Sequence, residues 1–227
     1  MPENSKYSKN EGRERFAREL LIWWQQNKRD FPWRKTSNPY RILITEMLLR
    51  KTTAGQVAAT YEKFFSKYPD LAKLSEASTE ELEQLIRPLG MERKRAVLLK
   101  AISQEIIERH SGKVPLSEKE LRELPGVGPY AANAVLCFAH GEDVPLVDTN
   151  AIRVFQRVFD LTSRKRRPKD DLLIWKFAKS YIPPTRGRDF NLAIIDLAHK
   201  ICTPRKPKHV ICPLRALCKY AKGENQN

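Results

Sequence analysis

The segment Leu124–Asn150, LPGVGPYAANAVLCFAHGEDVPLVDTN, limits what this chain can fold into more than any other stretch. Leu-Pro-Gly-Val-Gly sets Gly126 and Gly128 two residues apart, where a tight turn can take positive φ and its backbone can approach another molecule closely. The residues after Pro129 read as a helix, with Ala131, Ala132, Ala134, Val135, Phe138 and Ala139 as its apolar body. The pattern predicts a helix-hairpin-helix unit from about Glu118 to His140. Gly126, Val127 and Gly128 then sit just before a helix start, where unpaired N–H groups and the helix dipole attract a phosphate. Such a contact reads no base, so the expected partner is a nucleic-acid backbone, whatever its sequence. Gly-x-Gly alone also suits an ordinary turn between two helices, so the rest of the chain has to decide.

The rest of the chain predicts an all-α fold. Arg13–Lys28 carries Phe16, Leu20, Leu21 and Trp24 at helical spacing, and Asp30-Phe-Pro-Trp-Arg34 with Asn38-Pro39 breaks the run. Helices are expected over Tyr40–Arg50, Ala54–Tyr68, Thr79–Ile86, Arg93–His110, Ala151–Phe159, Asp170–Tyr181 and Asp189–Ile201, with Arg164–Lys169 as a basic loop. No strand pattern and no internal repeat is evident. Lys and Arg number 42 against 27 Asp and Glu, a formal charge of +15, which favours a polyanionic partner. No apolar run is long enough to span a bilayer, and MPENSKYSKNEGRERF lacks the apolar stretch of a signal peptide. A cytoplasmic protein with no membrane partner is therefore expected. Four cysteines in such a setting point to metal or core roles rather than disulfides.

Three groups of residues can carry chemistry. Asp148, in Val-Asp-Thr-Asn, precedes a helix; it suits an N-cap, but Thr149 or Asn150 would cap equally well and leave Asp148 free. Glu46 lies in Ile-Leu-Ile-Thr-Glu-Met-Leu-Leu, a helix with little other polar surface. It is either a solvated position or a partly buried acid whose raised pKa would let it donate a proton. Two carboxylates in different environments suit cleavage of a glycosidic bond. Cys202, His209, Cys212 and Cys218 form C-x6-H-x2-C-x5-C, a donor set for zinc or an iron–sulfur cluster, or else cysteines that merely pack. Arg205, Lys206 and Lys208 lie in the first ligand loop and would present cations to phosphate.

Taken together, these residues resemble the helix-hairpin-helix DNA glycosylases of the endonuclease III superfamily, from about Glu14 to Tyr220. LPGVGPY looks like the family hairpin, and Val147-Asp-Thr-Asn150 like its catalytic aspartate motif. The C-terminal spacing is similar to the family's four-cysteine [4Fe–4S] pattern, with His209 in place of the second cysteine; zinc or no metal is the alternative. The resemblance implies a two-lobed helical fold. One lobe would span 35–140 and include the hairpin; the other would combine 1–34 with 141–227 and carry the cluster loop, 202–218. The flipped base would lie between them.

Within the superfamily, Endonuclease III has a lysine where Tyr130 stands, so the resemblance implies no Schiff base and no β-lyase activity. Glu46 falls where adenine and mismatch glycosylases have a glutamate. Adenine glycosylases usually add a C-terminal domain, whereas this chain ends soon after Cys218, and they typically have glutamine at the position of Lys51. Asp30–Arg34, Pro39-Tyr40, Ile44–Arg50, Thr52–Gly55 and Arg188–Asn191 look like the thymine-DNA mismatch branch. The implied activity is monofunctional excision of thymine or uracil opposite guanine in double-stranded DNA, by a monomer associated with the nucleoid. Asp148 would stabilise the oxocarbenium ion, Glu46 would bond the departing base, Tyr130 would shape the pocket, and Arg50 or Lys51 would touch the orphan guanine. Adenine excision and a non-catalytic DNA-binding protein remain the alternatives.

Overall fold

Twelve α-helices form among residues 9–223, which the computed structural model describes (Lys9 by its backbone only). Residues 1–8 and 224–227, which belong to the expected 1–34 plus 141–227 lobe, lie outside the described residues, as does the start of the segment read for a signal peptide. The helices are α1 (Lys9–Asn27), α2 (Pro39–Leu48), α3 (Ala54–Lys67), α4 (Leu71–Glu76), α5 (Thr79–Ile86), α6 (Glu92–His110), α7 (Glu118–Glu123), α8 (Pro129–His140), α9 (Thr149–Phe159), α10 (Leu172–Lys179), α11 (Gly187–Lys200) and α12 (Lys219–Gly223). No strand occurs among the described residues. Side-chain caps set most starts: Asn38 on α2, Thr53 with Gln56 as a capping box on α3, Asp70 on α4, Ser78 on α5, Ser117 on α7 and Asp171 on α10.

The chain divides into two compact units. One is continuous, Asp30–Gly141. Its core holds Leu43, Ile44, Met47 and Leu48 of α2, Val57, Phe64 and Phe65 of α3, and Leu99, Ile102 and Ile106 of α6, all essentially without solvent contact. Helix α8 is buried from Ala131 to Cys137 and packs on α2, which accounts for its apolar character on all sides.

The other unit joins the residues up to Arg29 with those from Glu142 onward. Two features close this discontinuous unit. The Trp24 indole donates to Asp196 Oδ2 at 2.9 Å, and the Arg29 backbone N–H donates to the same oxygen at 3.1 Å, tying α1 to α11. Phe16 of α1 meets Phe155, Phe159, Tyr181 and Phe190, with ring centroids between 5.1 and 6.2 Å apart. Full burial of side chains such as Phe16, Phe155 and Phe190 contributes about 1.5–3 kcal/mol each, so the aromatic cluster helps to hold the early and late parts of the chain together.

Candidate active site and cysteine loop

In the Asp30–Gly141 unit, the glycine turn forms as its sequence requires. Gly126 takes φ +69°, and a Cβ there would come within 2.9 Å of Leu98 Cδ1 and 3.1 Å of Arg50 Nη1. The turn closes through Val127 N–H to Leu124 O at 3.1 Å, while Val127 itself is buried. Gly128 is the N-cap of α8, and Pro129 occupies the first turn, where its missing N–H costs nothing. The backbone N–H groups of Gly126 and Gly128 donate to no described group, although both carbonyls are used, by Arg50 and Ala132 respectively. The turn therefore offers unpaired donors beside a helix start, the chemistry of an anion site.

Glu46 sits on α2 with 8% exposure, among Ile42, Leu43 and Met47, so it is buried rather than part of a solvated face. Tyr130 is half-buried in the first turn of α8, the helix that packs on α2. Arg50 is exposed but engaged: its Nη1 donates to Gly126 O at 3.1 Å and lies 3.8 Å from Met47 Sδ. Lys51 is exposed at φ +54°, a left-handed conformation that few lysines adopt.

Sequence reasoning missed Arg95, which it placed only within the expected helix Arg93–His110. It is 5% exposed. Its guanidinium donates to five carbonyl contacts: Nη1 to Met47 O and to Leu48 O at 3.0 Å, Nη2 to Arg50 O at 3.0 Å and Gly90 O at 3.4 Å, and Nε to Gly90 O at 3.4 Å. Burial, and then the nearby charge of Arg50, lower its pKa. The signal was available, since Arg95 falls on the buried stripe of Leu99, Ile102 and Ile106.

In the other unit, Asp148 is itself the N-cap of α9. Of the two roles the sequence leaves open for Asp148, helix cap and free carboxylate, the structure shows the cap. Oδ1 accepts from Asn150 N–H at 2.9 Å and Ala151 N–H at 2.7 Å; Oδ2 accepts from Asn150 Nδ2 at 2.7 Å. Aspartate wins because its short carboxylate reaches the second and third helical amides and gains the dipole as well. The cap fixes the carboxylate in one orientation and leaves acceptor capacity on Oδ2.

Further bonds brace this position. Asn191 accepts from Leu146 N–H at 3.0 Å and donates to Val144 O at 2.9 Å, holding the extended segment ahead of Asp148. Asp143 accepts from Gly187 N–H at 2.8 Å and Thr185 N–H at 2.6 Å, seating the start of α11. Arg153 Nη2 donates to Asn150 Oδ1 and to Ala198 O, both at 3.0 Å, and its Nε donates to Cys202 O at 2.8 Å. Hydrogen bonds thus run unbroken from Asp148 through Asn150 and Arg153 to the first cysteine. Asn150 and Asn191 belong to motifs visible in the sequence; Arg153 carried no such signal.

Around the cysteines, Arg157 donates to Thr203 O at 2.6 Å and Pro204 O at 2.7 Å, with Nη1 3.5 Å from Cys202 Sγ. Cys202 and Cys218 are buried and Cys212 half-buried. Burial pushes the Cys212 thiol up to about 11; the Leu214 N–H opposes this, while Cys202 and Cys218 add to it. Cys218 is raised for the same leading reason, opposed by the N–H groups of Ala221 and Tyr220. Three sulfurs thus share one low-dielectric region with N–H donors directed at two of them, which fits a sulfur-ligated metal group. Among the described residues, no three His, Cys, Asp or Glu side chains converge in metal-binding geometry. The His209 ring lies against Tyr220, centroids 5.6 Å apart. Arg205, Lys206 and Lys208 are exposed on the loop, whose form is set by Thr203 Oγ1 to Lys206 O at 2.6 Å and Lys208 N–H to Ile201 O at 2.9 Å. No helix of the described residues is long and apolar enough to cross a membrane.

Residues 44–179 match the family described as HhH-GPD superfamily base excision DNA repair protein, and residues 202–218 match the iron–sulfur binding domain of endonuclease III. The thymine/uracil-DNA glycosylase of Pyrobaculum aerophilum is 44% identical over 203 residues, 88% of this chain and 88% of that protein. Among solved structures, a thermostable thymine-DNA glycosylase superposes with TM-score 0.90 at 39% identity, covering 94% of this chain and 98% of the other. A non-covalent endonuclease III–DNA complex gives TM-score 0.83 at 26% identity, with 97% and 100% covered.

Proposed function

The chain belongs to the HhH-GPD superfamily of base excision DNA repair proteins, and from that premise we propose that it hydrolyses the N-glycosidic bond of thymine or uracil mispaired with guanine. Its DNA glycosylase relatives support the substrate class. The observation that carries the chemistry is the carboxylate of Asp148, oriented by two backbone amides and one side-chain amide.

The turn at Gly126–Gly128 grips backbone phosphates through its unpaired N–H groups, with Val127 as its buried anchor and Arg205, Lys206 and Lys208 adding cationic contacts. The target nucleotide rotates out of the stack, which costs less for a G·T wobble than for a correct pair. As the glycosidic bond breaks, positive charge develops on the sugar, and the Asp148 carboxylate stabilises it and helps a water attack C1′. Glu46, buried on α2, hydrogen-bonds the departing pyrimidine, and Tyr130 shapes the pocket for sugar and base. Tyr130 offers no amine, so no Schiff base forms and the enzyme is monofunctional. Lys51 reaches the orphan guanine. Arg50, whose guanidinium already holds the Gly126 carbonyl, keeps the turn in place instead. The protein acts as a monomer.

Cys202, Cys212 and Cys218, with His209 as the fourth ligand, would hold a [4Fe–4S] cluster, which when bound supplies a cross-link among the loop's ligands. Purified protein is then brown and contains acid-labile sulfide with its iron. One equivalent of zinc without sulfide would show a different metal.

The substrate reading is tested by single-turnover cleavage of labelled duplexes carrying G·T, G·U, A·G or A·8-oxoguanine, each with and without alkali. Alkali-dependent cleavage of the T or U strand is expected. Cleavage without alkali would overturn the monofunctional assignment, and cleavage of the adenine strand alone would overturn the substrate.

A further inference from the structure

Arg95 joins two turns that are distant in sequence. Its guanidinium bonds Met47, Leu48 and Arg50 carbonyls at the end of α2, and the Gly90 carbonyl just before α6. Each turn ends in an exposed residue with a left-handed backbone: Lys51 at φ +54° on the first and Met91 at φ +54° on the second. Met91, 48% exposed, is a large apolar side chain at a tip beside the cations Arg93 and Lys94. Single left-handed non-glycine residues persist only where their surroundings hold them. Here the guanidinium spends all its donors on the carbonyls of both turns, and Arg50, whose carbonyl it holds, reaches on to Gly126. Lysine has three donors on one flexible atom and cannot reproduce the planar fork.

Resting on the mispair-excision reading, we propose that Arg95 is a positioning residue: it locks the Lys51 and Met91 turns into one two-pronged element that opens the mispair and holds the gap left by the flipped base. Arg95 itself touches no DNA. Its contribution belongs to the opening of the pair, so it depends on how firmly the target base is held, whereas a merely structural role would lower every activity alike.

The test compares Arg95→Gln with the unsubstituted enzyme in single-turnover excision of thymine from two duplexes. One holds G·T; the other holds thymine opposite an abasic site, where there is no partner base to separate from. The expected result is a loss of about 100-fold on G·T, the size that a small misplacement of positioning groups produces, with the abasic duplex changed less than about threefold. Equal losses on both duplexes, or no loss on G·T, would overturn the proposal. Circular dichroism checks the fold at the assay temperature. Should Arg95→Gln be unfolded, Arg95→Lys carries the same comparison, with the same ordering of substrates expected. Failure of the unsubstituted enzyme on both duplexes would instead sink the mispair reading, and this inference with it, before any variant is considered.

Discussion

Helices α8 and α9 begin in opposite ways. Helix α8 starts with Gly128 and Pro129, has no side-chain cap, and follows glycine N–H groups that bond to nothing described. Helix α9 starts with Asp148, whose carboxylate consumes the first amides of its own helix. Each end carries the same partial positive charge. At α8 that charge and its donors face outward for an anion supplied from elsewhere; at α9 they are spent on orienting an anion the chain supplies. One start thus suits grip and the other chemistry, and substitutions should affect binding at the first and rate at the second.

The sharpest separation comes from Asp148→Asn. Asparagine caps as well as aspartate, so stability should move by less than about 1 kcal/mol, while the loss of charge opposite the developing cation should slow excision by about 1,000-fold or more. Single-turnover rates beside duplex affinity measure both, and unchanged affinity is expected. Substantial activity in this variant would break the distinction between the two starts. Next in size is Arg153→Met, which removes the donor to Asn150, Ala198 and Cys202. The carbonyls left unpaired should cost about 1–3 kcal/mol of stability, and looser orientation of Asn150 should slow excision by about 30-fold. A Tm loss with the single-turnover rate intact would reduce Arg153 to scaffolding.

How far the sequence foretold these two starts depends on where the information lay. The glycine turn was legible because positive φ is demanded at one position and only glycine meets it cheaply. The α9 cap was left open, because Asp148-Thr149-Asn150 sets three capping residues in a row, and only the structure shows which side chain reaches the first amides. The long helices announced themselves by periodicity. Helices α4 and α12 did not, at six and five residues, with too few buried positions to show a period. The burial of Arg95 could be read from the stripe it shares with Leu99, Ile102 and Ile106, but its partners could not: a guanidinium satisfied by carbonyls has no sequence partner, since every residue offers a carbonyl. The fold class and the chemistry-bearing motifs could be read from the chain, but the bonds that orient them are made between backbone groups whose proximity is tertiary.

Returning to the α8 side, Gly126→Ala should weaken binding to matched and mismatched duplexes equally, by about tenfold, equivalent to about 1.4 kcal/mol. A Cβ at φ +69° would strain the turn and press on Leu98 and Arg50. Fluorescence anisotropy on both duplexes checks it, and a loss confined to the mispair would place Gly126 in base recognition, contrary to a phosphate role.

The smallest effect is expected two residues on. Gly128 has negative φ and open space where a Cβ would stand, so alanine fits without displacing anything. Its N–H also survives the substitution. An unliganded helix capped by alanine rather than glycine loses about 1 kcal/mol at most, and affinity should change by less than about threefold, since a phosphate at the turn takes over the work of a cap. If Gly128→Ala instead weakened binding as much as Gly126→Ala, the phosphate would have to approach so closely that a methyl group obstructs it. The contact would then centre on the Gly128 amide at the very start of α8, and the difference between a helix start that orients its own carboxylate and one that receives an outside anion would rest on that single N–H.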